Sequence, residues 1–245
     1  MSNVEKIWYS YKGKHYHGGL PAFFDSAQYS WTQLLENNYD IISNEVMNYL
    51  NGDKTELISY YNNKITSHKN AWQILTFKFW GVDMPKTQKS LPITNGLLNS
   101  IPGIISSSIS ILEPQTAIHP HFGDSNTFIR CHFGIDVPAG LPQCGIKVNG
   151  IDKSWNNGKL LMLCDAHEHS TWNKTNQRRV IILFDVLHEQ YLPYKKSICI
   201  NGLALIWIQQ KKASSKFINK LPGFMQGILM RLKRVQYYVF GLSWK

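Results

Sequence analysis

Residues 127–135 read TFIRCHFGI, and their alternation is typical of a β-strand with two unlike faces. Alternate side chains of a strand share a face, so Phe128, Arg130 and His132 project to one side. The other side is wholly apolar and is formed by Ile129, Cys131, Phe133 and Ile135. This stretch predicts a strand with one face in a hydrophobic core. Arg130 and His132 then lie together on the opposite face, either in solvent or in a cavity.

Similar short runs flank this strand on both sides. They are rich in aliphatic residues, are separated by Gly, Pro, Asn and Asp, and cover residues 104–112, 144–148, 159–164 and 179–186. Short strands at this spacing predict a mainly β fold with flanking helices, a double-stranded β-helix of the cupin-like jelly-roll type.

The region before residue 104 is predicted to be helical. Apolar residues recur at helical spacing over residues 30–51, and Ser30 with Gln33 forms a capping-box pattern. Gly52 stands where a helix stop is expected, and a shorter helix is predicted after Pro92. With 43% apolar residues, the chain can bury one substantial core. We expect one domain over residues 1–190, helical to about residue 103 and with a jelly-roll core over 104–190.

The 245-residue chain has a formal net charge of +10 that is unevenly distributed. All 16 Asp and Glu lie at or before Glu189, together with 16 of the 26 Lys and Arg, so the body is formally neutral. The other ten basic residues follow Glu189 and have no acidic partner there. This distribution does not favour nucleic-acid binding and indicates a separate surface or anchoring role for the tail.

Residues 191–245 form a basic, partly amphipathic C-terminal extension. Its apolar run over 198–208 is shorter than the roughly 20 residues that span a bilayer. Within residues 224–240, an apolar stripe at helical spacing is formed by Met225, Ile228, Leu232, Val235 and Val239. Two interpretations stay open. Either the helix packs on the barrel and leaves a basic face in solvent, or it lies at a membrane surface.

The N-terminus begins MSNVEK and has no charged segment followed by an apolar one, so no secretory signal is predicted. We expect a cytoplasmic protein, peripheral to a membrane if the extension binds lipid. The four cysteines are widely spaced and form no CxxC pair, which argues against a zinc ribbon. They are expected to be small buried hydrophobic residues.

Two histidine clusters stand next to predicted strand ends. One contains His119 and His121, and the other contains His167 and His169. A mononuclear Fe(II) site that must also bind a bidentate cosubstrate and O2 needs as few as two histidine ligands. Histidines at strand ends are as often hydrogen-bonded surface groups, so the residues alone leave both interpretations open.

Arg179 opens the predicted strand over residues 179–186. An arginine in a barrel mouth is suited to binding a carboxylate through two parallel hydrogen bonds. The alternative is a structural salt bridge with Asp165 or Asp185.

The order and spacing of these residues resemble the aspartyl/asparaginyl β-hydroxylase family. The matching positions are Ser110 to Pro114 (SILEP), His121 and Gly123, Asn126, Arg130 and His132, Trp155 and Gly158, Asp165 with His169 and Trp172, and Arg179 leading to Asp185 and His188. Upstream, residues 72–81 and 91–102 are similar to the family's entry region. The resemblance covers about residues 20–190 and leaves the C-terminal extension outside it.

The resemblance implies an Fe(II)- and 2-oxoglutarate-dependent dioxygenase with His121 and His169 as iron ligands. Gly123 stands where other 2-oxoglutarate oxygenases have a ligating Asp or Glu, and this family lacks that carboxylate. Asp124 is not assigned as a ligand, since adjacent strand residues face opposite ways. His119 and His167 do not match the family pattern.

The resemblance also implies roles for the residues around the iron. Arg179 with Ser110 would bind the distal carboxylate of 2-oxoglutarate, and His132 would approach the carboxylate bound at iron. Arg130 and Lys78 would bind a substrate that carries an anionic group.

The reaction expected first is hydroxylation at the β-carbon of an Asp, Asn or related amino acid, free or in a peptide, with O2. Phe128 stands where the animal enzymes have an arginine, and the run KFWG over residues 78–81 looks like the bacterial lipid A acyl-chain hydroxylases. A lipid or acyl-chain hydroxylase at a membrane surface is therefore an alternative. A jelly roll that binds metal or ligand without turnover is the third.

Overall fold

A computed structural model describes residues 5–10, 15–52, 56–60 and 65–242. The strands in these ranges are β1 (Phe23–Phe24), β2 (Ile58–Ser59), β3 (Trp72–Phe79), β4 (Val82–Asp83), β5 (Ile104–Leu112), β6 (Thr116–His121), β7 (Phe128–Asp136), β8 (Cys144–Val148), β9 (Ile151–Lys153), β10 (Leu160–Leu163), β11 (His169–Asn173) and β12 (Arg179–Leu187). The α-helices are α1 (Thr32–Glu36), α2 (Tyr39–Leu50), α3 (Pro85–Ser90), α4 (Pro92–Asn99), α5 (Lys195–Ser214), α6 (Lys216–Lys220) and α7 (Gly223–Phe240).

Two antiparallel sheets form the barrel. The larger sheet has the order β1-β10-β7-β12-β5-β3-β2, with β4 beside β3, and the smaller has the order β6-β11-β8-β9. Apolar residues of the two sheets pack against each other, as Ile146 and Val148 of β8 do with Leu163 and Ile181. The predicted jelly-roll fold with flanking helices is confirmed.

The two faces of β7 are separated as its alternation predicts. Ile129, Cys131, Phe133 and Ile135 are all buried in the main core, between the larger sheet and the N-terminal helices. Those helices supply Leu35, Ile42 and Val46 to the same core. The prediction that this face belongs to the core is confirmed, and Arg130 and His132 are left on the barrel side.

The strand predictions over 104–112 and 144–148 agree with β5 and β8. Those for β7 and β10 differ by one residue at each end, and that for β12 differs by one residue at its C-terminal end. The prediction that the chain is helical up to residue 103 is wrong, because β3 lies in that region. β3 pairs with β5 over most of its length. Its alternating buried residues Leu75 and Phe77 belong to the core of the sheet.

The single helix predicted over residues 30–51 is also wrong, since α1 and α2 are separate. The Asn38 side chain donates to the carbonyl of Leu34 at 2.8 Å, a local bond of the kind that competes with helix continuation. The Ser30 capping box is not formed, because α1 begins after Trp31 with no side-chain cap. The helix predicted after Pro92 is confirmed as α4.

The C-terminal extension packs against the barrel through α5. Most of α5 is buried in a second apolar cluster that also contains Trp80, Ile105 and Phe128. Across the described parts of the chain, no helix is long and apolar enough to cross a membrane. All four cysteines are free and buried, as predicted.

The orientation of α7 corrects one interpretation of its apolar stripe. Met230 and Tyr237 are buried in the cluster beneath α7, whereas the stripe from Met225 to Val239 points outward and is exposed. On the packed side, Arg234 donates to the side chain of Asn201 at 2.9 Å. The expectation that the stripe packs on the barrel and leaves the basic face in solvent is therefore wrong.

The contact between α5 and Trp80 makes a prediction about stability. A Cβ added at Gly202 would lie 2.3 Å from two ring atoms of Trp80, so Gly202→Ala forces the helix and the ring apart. We expect it to lower the free energy of unfolding by about 1–3 kcal/mol, measured by urea denaturation with tryptophan fluorescence. Gly227→Ala in α7 is the matched control, because nothing lies within 4 Å of its added Cβ. Equal stability of Gly202→Ala and wild type would contradict this packing.

Candidate active site

His121 ends β6, His169 begins β11, and the two are direct cross-strand partners. Their ring centroids lie 4.1 Å apart. The Nδ1 atom of His121 lies 2.8 Å from the carbonyl oxygen of His119, and that of His169 lies 2.9 Å from the carbonyl oxygen of His167. A carbonyl only accepts, so each Nδ1 carries the proton and each Nε2 keeps its lone pair. The sheet register thus brings together two imidazoles in the tautomer that binds metal.

The other two histidines of these clusters lie outside this pair. His119 is exposed to solvent. The Nε2 atom of His167 lies 2.7 Å from the carbonyl oxygen of Leu20, and its ring packs edge-on against Tyr16. Each lies two residues from an expected ligand. In the described structure, however, neither side chain lies beside the His121–His169 pair.

Burial keeps the pair neutral. Burial and the neighbouring His169 lower the pKa of His121 to about 4. Burial also lowers the pKa of His169. Metal ligation requires neutral imidazole, so both rings are in the required state at neutral pH.

Gly123 and Asp165 explain how the site lacks a third ligand at position 123. The Gly123 N–H donates to the carbonyl of Asp165 at 2.8 Å, and an added Cβ would lie 1.7 Å from Asp165 Oδ2. No side chain fits there, including a ligating Asp or Glu. In the part of the chain that the structure describes, no three His, Cys, Asp or Glu side chains are grouped to hold a metal. The geometry therefore fits a metal with two protein ligands and further positions open.

Sequence reasoning placed Asp165 in the family pattern and considered a salt bridge with Arg179, but it gave Asp165 no role beside His169. It is fully buried, and its Oδ1 lies 3.4 Å from Nε2 of His169. Because Nδ1 of His169 carries the ring proton, the lone pair of Nε2 lies close to the Asp165 carboxylate. A cation bound at the histidines would reduce the repulsion between these two groups. The only signal for this role in the sequence was the position of Asp165 four residues before His169.

Arg130 is engaged by two buried carboxylates. Its Nε and Nη2 donate to the two oxygens of Asp185 at 2.9 and 3.1 Å, and its Nη1 donates to Asp165. In the alternative interpretation, Arg179 would form a salt bridge with Asp165 or Asp185. Both carboxylates are instead paired with Arg130. Asp185 lies six residues from Arg179 along an extended strand, about 20 Å away, so that salt bridge is not formed.

Arg179 is 2% exposed and has no such partner. Among the described residues no carboxylate pairs with it, and its Nε has no hydrogen-bond partner. The guanidinium carbon lies 4.8 Å from the centre of the Trp155 ring, and burial lowers the pKa of Arg179 to about 10. A buried cation without a counter-charge is costly, and this arrangement fits a pocket for an anionic ligand.

His132 and Ser110 add two polar groups to the same pocket. Nδ1 of His132 accepts from the Trp155 indole N–H at 3.0 Å, so the proton lies on Nε2, which has no partner within the described structure. Burial and Arg179 hold the pKa of His132 well below its usual value. Ser110 Oγ accepts from the Trp72 indole N–H at 3.0 Å and keeps its own proton to donate. The pocket is lined by Trp72, Ser110, Ile118, His121, Arg130, His132, Ile146, Leu163, His169, Thr171, Arg179, Ile181 and Leu183.

A wider cavity of about 790 Å³ opens from His121 and Arg130 towards the C-terminal helices. Its wall includes Asp124 and, from α5 and α6, Lys212 and Lys216. The contribution of α5 and α6 to this cavity was not predicted, because no pattern in their sequence indicates contact with the histidine clusters. Lys78 lies in a neighbouring cavity that also contains Arg130, and its Nζ pairs with Asp83 at 2.6 Å.

Residues 36–189 match the family described as aspartyl/asparaginyl beta-hydroxylase. The match covers more than half of the 245-residue chain, and this chain belongs to that family of hydroxylases. The family predicted from the histidine and arginine motifs is confirmed.

Two curated relatives act on different substrates according to their names. The ornithine lipid ester-linked acyl 2-hydroxylase of Rhizobium tropici is 30% identical over 171 residues, 68% of this chain and 60% of that protein. The human aspartyl/asparaginyl beta-hydroxylase is 29% identical over 167 residues, 66% of this chain and 22% of that protein. The chain therefore spans less than two thirds of either relative. Among solved structures, a Pseudomonas putida prolyl-4-hydroxylase aligns with a TM-score of 0.40 and 11% identity, over 61% of this chain and 88% of that one.

The buried neutral histidines predict acid sensitivity of the metal-free protein. Burial lowers the pKa of His121 and of His188 from 6.5 to about 4, so the unfolded chain binds more protons between these values. The contribution of these two histidines to the free energy of unfolding should therefore be highest above pH 6.5 and fall as the pH decreases towards 4. Each of the two histidines should contribute a loss of about 1 kcal/mol at about pH 5.5.

Urea denaturation over this pH range measures the effect. His121→Asn should make the pH dependence shallower, and His68→Asn, at an exposed position, is the matched control. An equally steep pH dependence in His121→Asn and in the wild type would be inconsistent with a buried neutral ring at this position.

Proposed function

We propose that this chain is an Fe(II)- and 2-oxoglutarate-dependent hydroxylase. The observation that carries the proposal is Arg179, a buried guanidinium without a counter-charge in the pocket that also holds the paired Nε2 atoms of His121 and His169. A metal centre beside a site for a carboxylate is what a reaction with a dicarboxylate cosubstrate requires. Family membership supports the same reaction class.

His121 and His169 would hold the metal through Nε2. Their Nδ1 atoms donate to backbone carbonyls, which fixes the ring orientation and the tautomer before any metal binds. When bound, iron with 2-oxoglutarate supplies the activation of O2, in which the cosubstrate becomes succinate and CO2 and the substrate gains one oxygen atom. Burial of the pocket excludes bulk water from this step.

The remaining pocket residues would orient the cosubstrate. Arg179 presents a planar donor pair suited to the distal carboxylate of 2-oxoglutarate, and the Ser110 hydroxyl can donate beside it. The neutral His132, with its proton on Nε2, can donate to the carboxylate nearer the metal. Trp155 contacts both Arg179 and His132, so one indole supports both groups.

Removing the Arg179 side chain should weaken cosubstrate binding. Arg179→Ala is expected to raise the KM for 2-oxoglutarate by about 30-fold or more, since lost charge-assisted hydrogen bonds cost about 2–5 kcal/mol. Succinate formation with Fe(II) and varied 2-oxoglutarate measures it. The neighbouring Arg178→Ala is the matched control, because Arg178 bonds to the side chain of Asn51 instead. An unchanged KM in Arg179→Ala would remove the proposed role.

The lining of the site favours a substrate with an acyl chain. Phe128 is fully buried against Trp80, Arg130 is matched by two carboxylates, and Lys78 is paired with Asp83. The cations predicted to bind an acidic substrate are therefore already paired. The cavity beside Arg130 has many apolar residues, among them Tyr60, Trp72, Ile74, Phe79, Trp80, Leu183 and Ile206. We infer a lipid or other acyl-chain substrate, as the name of the Rhizobium relative also suggests.

The β-carbon of an Asp or Asn residue is the second candidate, favoured by the similarity to the human enzyme. With Fe(II) and 2-oxoglutarate, we expect mass spectrometry to find one added oxygen on the acyl chain of an ornithine lipid and none on an Asp- and Asn-containing peptide. His121→Ala is the control and should modify neither. Modification of the peptide alone would overturn the substrate class and keep the hydroxylase. If succinate does not form under any of these conditions, the hydroxylase proposal fails, leaving a jelly roll that binds without turnover.

A further inference from the structure

The outward side of α7 is apolar, and its inward side carries cationic groups. On the inward side, Arg234 bonds to Asn201, and Lys233 Nζ lies 5.5 Å from the centre of the Trp207 ring. The outward side is between 39% and 83% exposed and consists of Phe224, Met225, Ile228, Leu232, Val235, Tyr238, Val239 and Phe240. Met230 and Tyr237 are buried on the inward side, so α7 has apolar residues on both sides and leaves the longer stripe exposed. A surface helix that packs on its own core usually buries its main apolar stripe.

The exposed residues form a continuous surface. Ile228, Leu232, Val235 and Val239 follow each other at intervals of three or four residues, so they share one stripe of the helix. α6 lies next to the start of α7, where Gln226 donates to the carbonyl of Leu221, and Phe217 on α6 is 74% exposed. We call these residues the α6–α7 apolar face. Contiguous apolar patches of this kind mark sites that bind a partner or a membrane.

The basic residues around this face indicate which kind of partner it binds. Lys216, Lys220 and Arg231 are exposed on the same two helices, and no acidic residue follows Glu189 anywhere in the chain. A second copy would bring two cationic surfaces together, and like charges repel. An anionic lipid surface attracts lysine and arginine and also accepts apolar side chains beneath its headgroups.

We infer that the α6–α7 apolar face docks on the surface of an anionic lipid bilayer. The helix would lie in the plane of the interface, with its apolar stripe towards the acyl chains and its basic residues at the headgroups. Lys212 and Lys216 line the wide cavity that reaches His121, so docking would place the bilayer beside the mouth of that cavity. The passage of a lipid from the bilayer to the histidines rests on the proposed function, whereas docking itself does not.

Vesicle co-sedimentation of the full chain tests the docking. The protein is expected to sediment with vesicles of phosphatidylcholine and phosphatidylglycerol, more weakly with phosphatidylcholine alone, and less at high salt. The double variant Leu232→Glu/Val235→Glu should bind the anionic vesicles at least about tenfold less. Ile58→Glu/Ile151→Glu is the matched control, because both side chains are 51–60% exposed on strands away from α7.

Circular dichroism should show that both double variants fold like the wild type, so that a loss of binding reports on the face alone. The catalytically impaired His121→Ala chain should bind vesicles as the wild type does, which separates this inference from the proposed function. Equal vesicle binding by wild type and Leu232→Glu/Val235→Glu overturns the inference. A lipid-free dimer in sedimentation equilibrium that the same double variant dissociates also overturns it, since a second copy would then cover the face.

Discussion

The arrangement of the site depends on Arg130, whose guanidinium joins Asp165 to Asp185 inside the barrel. Asp185 is the direct cross-strand partner of Arg130, and Asp165 lies just before β11. The bond therefore ties the larger sheet to the segment that carries His169. It also holds the carboxylate of Asp165 against Gly123, where a ligating side chain would otherwise stand. The sheet register pairs the two histidines, and this buried ion-pair network supports the segment that carries His169 and fills the space beside Gly123.

The same network leaves the other buried arginine without a counter-charge. Arg130 takes both nearby carboxylates, and Arg179 stands at the opposite end of β12 from Asp185. An isolated buried guanidinium costs stability, and a carboxylate ligand that pairs with it offsets part of that cost. The two arginines therefore differ in their surroundings, since Arg130 is paired with two carboxylates of the protein and Arg179 with none among the described residues. The neutral His132 beside Arg179 adds a donor without adding a second positive charge.

The parts of the fold and of the site that depend on local periodicity could be predicted from the sequence. The alternation over residues 127–135 predicted which face of β7 enters the core. The two histidine clusters were predicted beside strand ends, and the family resemblance selected His121 and His169 within them. The pairing of Arg130 could not be predicted in this way, because it follows from the register between β7 and β12. β3 was missed although Leu75, Phe77 and Phe79 alternate with polar residues, because the whole region before residue 104 was predicted to be helical. The stripe on α7 predicted a helix, but periodicity does not indicate which side of a helix faces the protein.

The C-terminal helices link these observations. Phe128 stands on the β7 face shared by Arg130 and His132, yet it is buried beneath α5 with Trp80. At this position an arginine would have to be buried in an apolar cluster. The extension therefore closes one side of the barrel with apolar packing, and α5 and α6 then form the wall of the wide cavity. These helices line part of that cavity, and α6 also carries part of the α6–α7 apolar face. The C-terminal segment therefore lies both beside the path to the histidines and beside the exposed apolar surface.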